Sequence, residues 1–501
     1  MLIVFLHNSR PSLNPGFLKH FNSFPLFPVN LEKNNGTPYR YAFMKRLLQK
    51  TLFSLMLCGL SLLQIQCSSV MPRSFSEENR TEFDLENGLH VILHRENSVP
   101  ILSAYMLYHV GSKDEDPQKT GFAHFFEHLM FSGTKHILRD ELSEFVTGAG
   151  GTMNAVTDYD YTSYYINIPA NELRLALWIL SEQMFNLEID SFSVETERRA
   201  IREERRMRYD NQPYGSVYEE LVSLVFAGSP YSWVPIGSVQ YIDEAAPSEF
   251  QAFYKTYYAP NNATLVLAGD FDTEEARALV SAYFGDIPKG EKIQRPRVRL
   301  SPPDSLQKIK IVEKPTTPLP AAIYAWQSVP QTHSDRLPLT LLRDILANGE
   351  SSRLYRKFVY ETELAAEVSA ISFSLEQTGL FAIFIAGNAQ SEFSTLDSLL
   401  FAETEKLLGG DISETELQKA INRKKTHEAS AYGTMFNRAA ALAKNHALQT
   451  AASENAAQND DATELEDITP EMLKAIARKY FSRDRCFRLY YPRFSPEIKN
   501  Q

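Results

Sequence analysis

Two histidines and one glutamate lie within five residues of each other in the stretch GFAHFFEHLMFSGT, residues 121–134. On an α-helix, His124 and His128 are four residues apart and would point to the same side. Their imidazoles could then bind one zinc ion, and Glu127 beside them could accept a proton from water that the metal acidifies. Histidine pairs at this spacing are also common on helices that bind no metal. The pattern alone therefore leaves a metal site and a polar helix stripe both open.

A catalytic zinc site needs a third protein ligand, typically a carboxylate, and leaves the fourth position to water. The segment VETERRAIREERRMRYD, residues 194–210, has no strand character and predicts a long helix with Ser193 as its expected N-cap. This helix offers four carboxylates as ligands: Glu195, Glu197, Glu203 and Glu204. The alternative for most of them is a solvated helix face with Arg–Glu pairs.

Short strands and helices are expected around these segments. Residues 83–94 predict two strands joined by a turn at Asn87-Gly88, and residues 101–110 predict a third strand. The stretch TMNAVTDYDYTSYYINI, residues 152–168, alternates and is rich in threonine and tyrosine, which favours strands of an antiparallel sheet. Helices are predicted over residues 116–133 and 170–185.

The pattern of strands and helices begins again after a stretch rich in proline and charge, residues 288–305. An offset of 216 residues aligns FSG, residues 131–133, with ANG, residues 347–349. His124, Glu127 and His128 then correspond, in this order, to Thr340, Arg343 and Asp344. We expect two similar halves, of which only the first carries the site. The predicted parts are a zinc-binding domain over 80–290, a linker over 291–307 and a homologous non-catalytic domain over 308–496.

Composition and charge argue against several classes of protein. The chain has 501 residues, more than one hydrophobic core usually supports, with 44% hydrophobic and 23% charged residues. The formal net charge is −11, and residues 1–70 carry seven basic side chains and one acidic side chain, so the remainder carries −17. A body this acidic is a poor nucleic-acid binder, because phosphate contacts need clustered lysine and arginine.

The first 70 residues have features of a targeting segment. Met44-Lys45-Arg46 precedes the apolar run TLFSLMLCGLSLL, an order that resembles a secretory signal, although a buried helix of the folded domain is the alternative. We expect residues 1–43 to be an upstream extension and residues 44–70 a signal peptide or lipoprotein leader. The protein would then be exported, as to a bacterial periplasm, and a lipid at Cys67 would be its only membrane anchor. Without the leader only Cys486 remains, so no internal disulfide is expected.

Several stretches together resemble the pitrilysin/insulinase family of zinc peptidases, the M16 inverted zincins with the motif His-x-x-Glu-His. They are GFAHFFEHLMFSGT, GGTMNAVTDYDYTSYY, ETERRAIREERRMRYDNQPYG and ANGESSRLYRKF. The resemblance covers residues 82–495 and is to the bacterial two-domain form, similar to the β subunit of mitochondrial processing peptidase. It implies an α+β fold of two homologous domains, each a β-sheet packed with helices, that enclose a chamber like a clam shell.

The resemblance also implies one zinc ion per chain and a role for each residue of the motif. It makes His124 and His128 zinc ligands and Glu127 the general base. The family's third ligand matches Glu204, with Glu203 as the rival. Glu197, two turns earlier on the same face, matches a second glutamate that supports the catalytic site.

A segment beside the motif resembles the edge strand to which M16 peptidases add a substrate peptide. Such binding holds an extended peptide by main-chain hydrogen bonds. Asn154 and Ala155 are the residues that we expect to contact substrate. A plain edge strand without a ligand is the alternative for this segment.

The sequence departs from the family in its second half. Many members have an arginine and a tyrosine, seven residues apart, that grip the substrate, but these positions are Val359 and Ala366 here. The predicted activity is hydrolysis of unfolded peptides by a zinc metallopeptidase, as a homodimer or with a homologous chain. The alternatives are a zinc-bearing subunit that is inactive without such a partner and a non-catalytic peptide-binding subunit.

Overall fold

The computed structural model describes residues 79–295, 297–301, 307–410, 412–454 and 465–494. The described residues belong to one compact unit. The expected upstream extension, the leader and Cys67 lie outside the described residues, as does part of the expected linker. Among the helices of the described ranges, none combines the length and the apolar character needed to cross a bilayer.

The first half contains a six-stranded mixed sheet. Its strands are β1 (Arg80–Asp84), β2 (His90–Arg95), β3 (Ile101–Tyr108), β4 (Thr152–Thr157), β5 (Thr162–Pro169) and β6 (Ala263–Gly269). They lie in the order β1-β2-β6-β3-β5-β4, in which β2 and β6 are parallel and the other neighbours are antiparallel. The predicted turn at Asn87-Gly88 joins β1 to β2, and Gly88 supplies the φ of 88° that it needs.

Helices of the first half cover this sheet and carry the candidate site. They are α1 (Phe122–Leu129), α2 (Arg139–Gly148), α3 (Leu173–Phe185), α4 (Ser191–Arg205), α5 (Val217–Val225), α6 (Val239–Glu244), α7 (Pro247–Tyr257) and α8 (Thr273–Phe284). Helix α1 packs against α4, which brings the histidine motif of residues 121–134 and the glutamate-rich segment of residues 194–210 together.

The second half repeats this arrangement on a five-stranded mixed sheet. Its strands are β7 (Ile309–Ile311), β8 (Ala321–Ser328), β9 (Ala365–Ser374), β10 (Gly379–Gly387) and β11 (Phe487–Tyr491), in the order β7-β11-β8-β10-β9. Its helices are α9 (Arg336–Ala347), α10 (Phe393–Gly409), α11 (Glu414–Ala431), α12 (Met435–Glu454) and α13 (Pro470–Tyr480), besides a short turn at Arg353–Tyr355. The two sheets with their helices confirm the predicted mixed fold.

The two halves interlock by exchanging helices. Helix α12 of the second half packs on β3 and β6 of the first sheet, where Ala439 and Ala443 are fully buried. Alanines four residues apart form a smooth face, so the helix can approach the sheet closely. In return, α5 of the first half packs on β8 and β11 through Leu221 and Val222. Each half therefore completes the core of the other.

The ends of two helices differ from the sequence prediction. Helix α1 is shorter than predicted, because Gly121 before it has a φ of 102° and a β-carbon there would lie 2.9 Å from the Ile236 carbonyl oxygen. The predicted N-cap Ser193 is wrong. Asp190 caps α4 by accepting a hydrogen bond from the Ser193 amide at 2.7 Å. The helix ends in a π-helical segment, Arg206–Asp210.

Candidate metal centre

A buried carboxylate fixes the N-terminus of the helix that carries both histidines. Glu115 accepts hydrogen bonds from the backbone N–H groups of Gly121 at 2.9 Å and Ala123 at 2.8 Å. It also accepts one from the Trp233 indole at 3.0 Å. Amides at the start of a helix have no acceptor within it, so Glu115 satisfies donors that would otherwise be buried unpaired. It thereby sets where α1 begins and how its side chains are directed.

The opposite face of α1 is aromatic. Phe122 and Phe125 pack on Phe250 of α7, with ring centroids 4.6 and 4.3 Å apart, and Phe126 packs on Tyr258 at 4.2 Å. Each phenylalanine is buried, which stabilises the fold by about 2 kcal/mol per side chain. This packing anchors one side of the helix and leaves its other side to face α4.

His124, His128 and Glu204 bring three ligand atoms together. The Nε2 atoms of His124 and His128 lie 3.5 and 3.2 Å from Oε2 of Glu204. One ligand atom from each residue lies within 4.8 Å of the others. In a tetrahedral site with zinc bonds of about 2.0–2.1 Å, ligand atoms are about 3.3 Å apart. The donor types and the two separations to Glu204 therefore fit one zinc ion.

The charges near these atoms also suit a cation. Burial lowers the pKa of His128, but hydrogen bonds to Glu197 and Glu204 outweigh burial and raise the pKa to about 9. Burial acts to raise the pKa of Glu204, yet His124, His128 and Arg208 hold it far below its usual range. Glu204 is thus ionised at neutral pH, and a metal ion bound here would replace the proton on His128.

Glu197 holds His128 through the ring nitrogen that faces away from Glu204. Its Oε2 lies 3.2 Å from Nδ1 of His128, while its Oε1 accepts from the Ser132 hydroxyl at 3.2 Å and pairs with Arg139. Burial acts to raise the pKa of Glu197, but His128 and Arg139 keep it below its usual range. A carboxylate in this position orients the imidazole and makes its other nitrogen a better ligand. The geometry therefore gives Glu197 a positioning role.

Glu127 is tied to the edge of the first sheet. The hydroxyl of Thr157, the last residue of β4, donates a hydrogen bond to Oε2 of Glu127 at 2.5 Å. Within the described part of the chain β4 pairs with β5 alone, so its other edge is open. On this strand Asn154 is exposed, and its Oδ1 accepts from the backbone N–H of Ala155 at 2.8 Å, whereas the Ala155 side chain is buried. The open edge and the carboxylate of the predicted base are therefore neighbours.

The structure brings together most of the residues that the sequence predicted. The two other candidate carboxylates of α4 lie elsewhere: Glu203 pairs with Arg206 and is largely exposed, and Glu195 pairs with Arg198. Neither belongs to the cluster of ligand atoms. The solvated-face alternative thus describes these two glutamates, while Glu204 faces the histidines.

Four further residues of the site were not predicted: Glu115, Arg139, Thr157 and Arg208. Arg208 pairs with Glu204 at 2.5 Å and lies four residues after it, so the rule for helical ion pairs could have identified it. Glu115 accepts from amides six and eight residues after it, whereas Arg139 and Thr157 reach the site through tertiary contacts between distant segments. No local spacing in the sequence marks such contacts.

Comparison with known proteins agrees with this geometry. The family model described as "Insulinase (Peptidase family M16)" matches residues 90–232, and the family model described as "Peptidase M16 inactive domain" matches residues 246–424. The zinc protease PqqE of Helicobacter pylori is 30% identical over 343 residues, covering 68% of this chain and 77% of the relative. An uncharacterized zinc protease of Streptomyces coelicolor is 24% identical over 80% of this chain and 86% of the relative.

Solved structures show the same fold. The crystal structure of a protease from Helicobacter pylori superposes with a TM-score of 0.75 at 26% identity, covering 82% of this chain and 99% of that one. Pitrilysin superposes with a TM-score of 0.67 at 18% identity, covering 84% of this chain and 46% of its own. With the two family descriptions matched in tandem and a relative at 30% identity, this chain belongs to the M16 family of peptidases.

Proposed function

We propose that this chain is a zinc-dependent endopeptidase that hydrolyses unfolded peptides. The observation that carries the proposal is the convergence of two imidazole nitrogens and one carboxylate oxygen beside Glu127. A structural zinc site would have four protein ligands and no use for an adjacent base. Three candidate ligands, with the Glu127 carboxylate beside them and outside the ligand cluster, support an open, catalytic site.

Each residue of the site has a defined task in this proposal. His124, His128 and Glu204 would hold one zinc ion, which when bound supplies a Lewis acid and lowers the pKa of water. Glu127 would take a proton from that water and later donate it to the leaving amine. Thr157 directs the Glu127 carboxylate by its hydrogen bond. Glu197 keeps the His128 ring in the orientation that ligation needs.

The open edge of β4 is the proposed binding site for the peptide backbone. An extended peptide would add there as a further strand, with Asn154 and Ala155 in contact with it. In this arrangement the Asn154 amide would release the Ala155 N–H, which could then donate to a carbonyl of the peptide. Binding through the backbone suits unfolded chains, because folded proteins pair their backbone groups internally.

Hydrolysis of an internally quenched peptide by the purified chain tests this proposal, with metal content measured in parallel. The wild type should cleave, and a chelator should stop it. Glu127→Gln should retain about one zinc ion but lose activity, because it removes only the base. Glu203→Gln, on the exposed side of α4, is the matched control and should behave as wild type. Absence of bound zinc in the wild type would refute the proposal.

A second candidate function is a zinc-bearing subunit that needs a homologous chain. It is supported by Val359 and Ala366 at the positions where many M16 peptidases have arginine and tyrosine. A missing transition-state donor typically costs about 10²–10³ in rate. Weak activity of the lone chain that rises when a homologous chain is added would favour this candidate over a homodimer. If the chain binds zinc and peptide but does not cleave, with or without the homologous chain, the non-catalytic peptide-binding subunit is favoured.

Export is a further part of the proposal, supported by the residue pattern of the leader alone. A basic segment followed by an apolar run is what secretion machinery recognises. Expression of the full chain with subcellular fractionation and mass spectrometry of the mature N-terminus tests it. A mature chain that retains residues 44–70 inside the cell would contradict export, and a lipid on Cys67 would identify the anchor.

A further inference from the structure

The second half contains a groove at its own counterpart of the metal centre. The groove lies between α9 and α11, has a volume of about 1010 Å³, and is lined only by polar and charged residues. Helices α9 and α11 pack together as α1 and α4 do in the first half. Three of its lining residues are Thr340, Arg343 and Asp344, the residues that correspond to the histidines and Glu127.

The helix that faces them also has a counterpart in the first half. Aligning Ala200-Ile201 of α4 with Ala420-Ile421 of α11 places Lys424 at the position of Glu204 and Arg423 at that of Glu203. Both isoleucines are buried, which supports this alignment of the two helices. The metal-binding carboxylate of one half is therefore replaced by a cation in the other. The charge at the equivalent position has the opposite sign.

The cations of the groove differ in whether they are already neutralised. Arg343 donates two hydrogen bonds to Asp344, at 2.9 and 2.6 Å, and Lys424 pairs with Glu428 at 3.0 Å. Arg423 donates to the backbone carbonyl of Asn348 at 2.6 Å, and this contact leaves its positive charge uncompensated. Half-buried guanidinium groups are usually paired with anions, since an unpaired charge loses hydration without compensation.

Arg423 is also held in place. It lies over Gly349, whose φ is 91° and where a β-carbon would be 3.0 Å from Nη1 of Arg423. Lys419, one helical turn earlier, contacts the Ser351 hydroxyl. Among the described residues neither Arg423 nor Lys419 has an acidic partner within ion-pair distance. Two cations about 6 Å apart on one helix face, in a polar groove, form a site for an anion with hydrogen-bonding oxygens.

We propose that this groove binds a carboxylate of a peptide, held by Arg423 and Lys419. A guanidinium donates two parallel hydrogen bonds to a carboxylate, which suits Arg423 to this ligand. The carboxylate can come from the C-terminus of the peptide or from an acidic side chain. That the carboxylate belongs to a peptide rests on the proposed function. The positive charge of the groove is an observation that does not depend on the proposed function.

Calorimetric titration of zinc-loaded Glu127→Gln, which cannot consume the ligand, tests the proposal. Three peptides of one sequence are compared: a free C-terminus without acidic residues, its C-terminal amide, and the amide with one aspartate. We expect at least one carboxylate to tighten binding about tenfold over the neutral amide, since a charge-assisted hydrogen bond is worth about a factor of ten. A gain with the free C-terminus identifies that source, and a gain with aspartate identifies the side chain.

The variants decide whether the gain arises in this groove. Adding Arg423→Gln should abolish the tenfold gain without changing affinity for the neutral amide. Lys425→Gln is the matched control, because Lys425 is adjacent on α11 but pairs with Glu466 outside the groove. If Arg423→Gln fails to fold, Lys419→Gln at the exposed end should reduce the gain several-fold. A gain that survives both substitutions, or no gain with either carboxylate, would overturn the proposal.

These readouts separate this inference from the proposed function. Carboxylate binding is measured on a variant without its base, so it does not depend on hydrolysis. A wild type that never cleaves, combined with a gain that requires Arg423, would remove the peptidase proposal and keep the groove. A wild type that cleaves, combined with no preference for a carboxylate, would keep the peptidase proposal and remove the groove proposal.

Discussion

Replacing Glu197 by glutamine should weaken zinc binding without removing any ligand. Glutamine keeps the shape of the side chain but cannot carry the charge that Nδ1 of His128 meets at 3.2 Å. A hydrogen bond to a charged acceptor is about twice as strong as a neutral one, so about 1–1.5 kcal/mol is lost. Poorer orientation of the ring adds to this loss. Residues that orient a ligand typically contribute a factor of about 10–100 in metal affinity, and we expect Glu197→Gln to fall in that range.

The fold should tolerate this substitution. Arg139 loses its carboxylate, but one third of its side chain is exposed, so water replaces most of the interaction and the loss is about 1 kcal/mol or less. Competition with a chromogenic chelator measures the zinc dissociation constant, and circular dichroism checks the fold. Glu203→Gln serves as the control on the same helix. An unchanged zinc affinity in well-folded Glu197→Gln would refute the idea that this carboxylate positions His128.

The same contacts lead to four other predictions. Glu115→Ala should lower the free energy of unfolding by about 2 kcal/mol or more in urea titrations, because the buried amides of Gly121 and Ala123 lose their acceptor, while the Trp233 indole keeps the Ser112 carbonyl; a loss below about 1 kcal/mol would contradict this. Zinc affinity should rise about tenfold per pH unit between about pH 7 and 9 and then level off, because the proton that Glu197 and Glu204 hold on His128 must leave before zinc binds. In the metal-free protein the same raised pKa stabilises the fold below about pH 6.5, and this contribution should disappear as the pH rises through 9. Thr157→Val should reduce kcat about tenfold or more with zinc content unchanged, since it frees the Glu127 carboxylate; loss of zinc instead would assign Thr157 to metal binding.

The sequence predicted the centre of the site because helical spacing alone determines it. His124, Glu127 and His128 share one helix, so their relative positions follow from 3.6 residues per turn. Glu204 needed the resemblance, because four glutamates of α4 were compatible with ligation and only the approach of α4 to α1 chooses among them. Strand and helix types were mostly predicted as well, since alternation and turn residues are local signals.

Features that depend on tertiary contacts escaped prediction. The N-cap was placed on Ser193 because serine is a good cap, but Asp190 accepts a hydrogen bond from the Ser193 amide and donates its own amide to the Ser193 hydroxyl, so the helix begins three residues earlier. The helix exchange by α5 and α12 has no signal in the sequence, because an amphipathic helix shows which face is buried but not which sheet buries it. The contact of Thr157 with Glu127 was missed for the same reason, whereas Glu115 lies only six and eight residues before the amides that it caps.

The half without the candidate ligands still contacts the half that carries the candidate metal centre. Glu376, between β9 and β10 of the second half, enters the first half, where its carboxylate lies 2.7 Å from His109 and 3.4 Å from Lys113. Burial acts to raise the pKa of Glu376, but Lys113 and His109 lower it to about 2, so the ionised carboxylate pairs with the Lys113 ammonium at neutral pH. Lys113 is two residues before Glu115, the acceptor that fixes the start of α1. Through Glu376 the second half therefore contacts the segment that leads into the helix of the two histidines. A half that lacks the candidate ligands thus packs against the chain just before the residue that caps their helix.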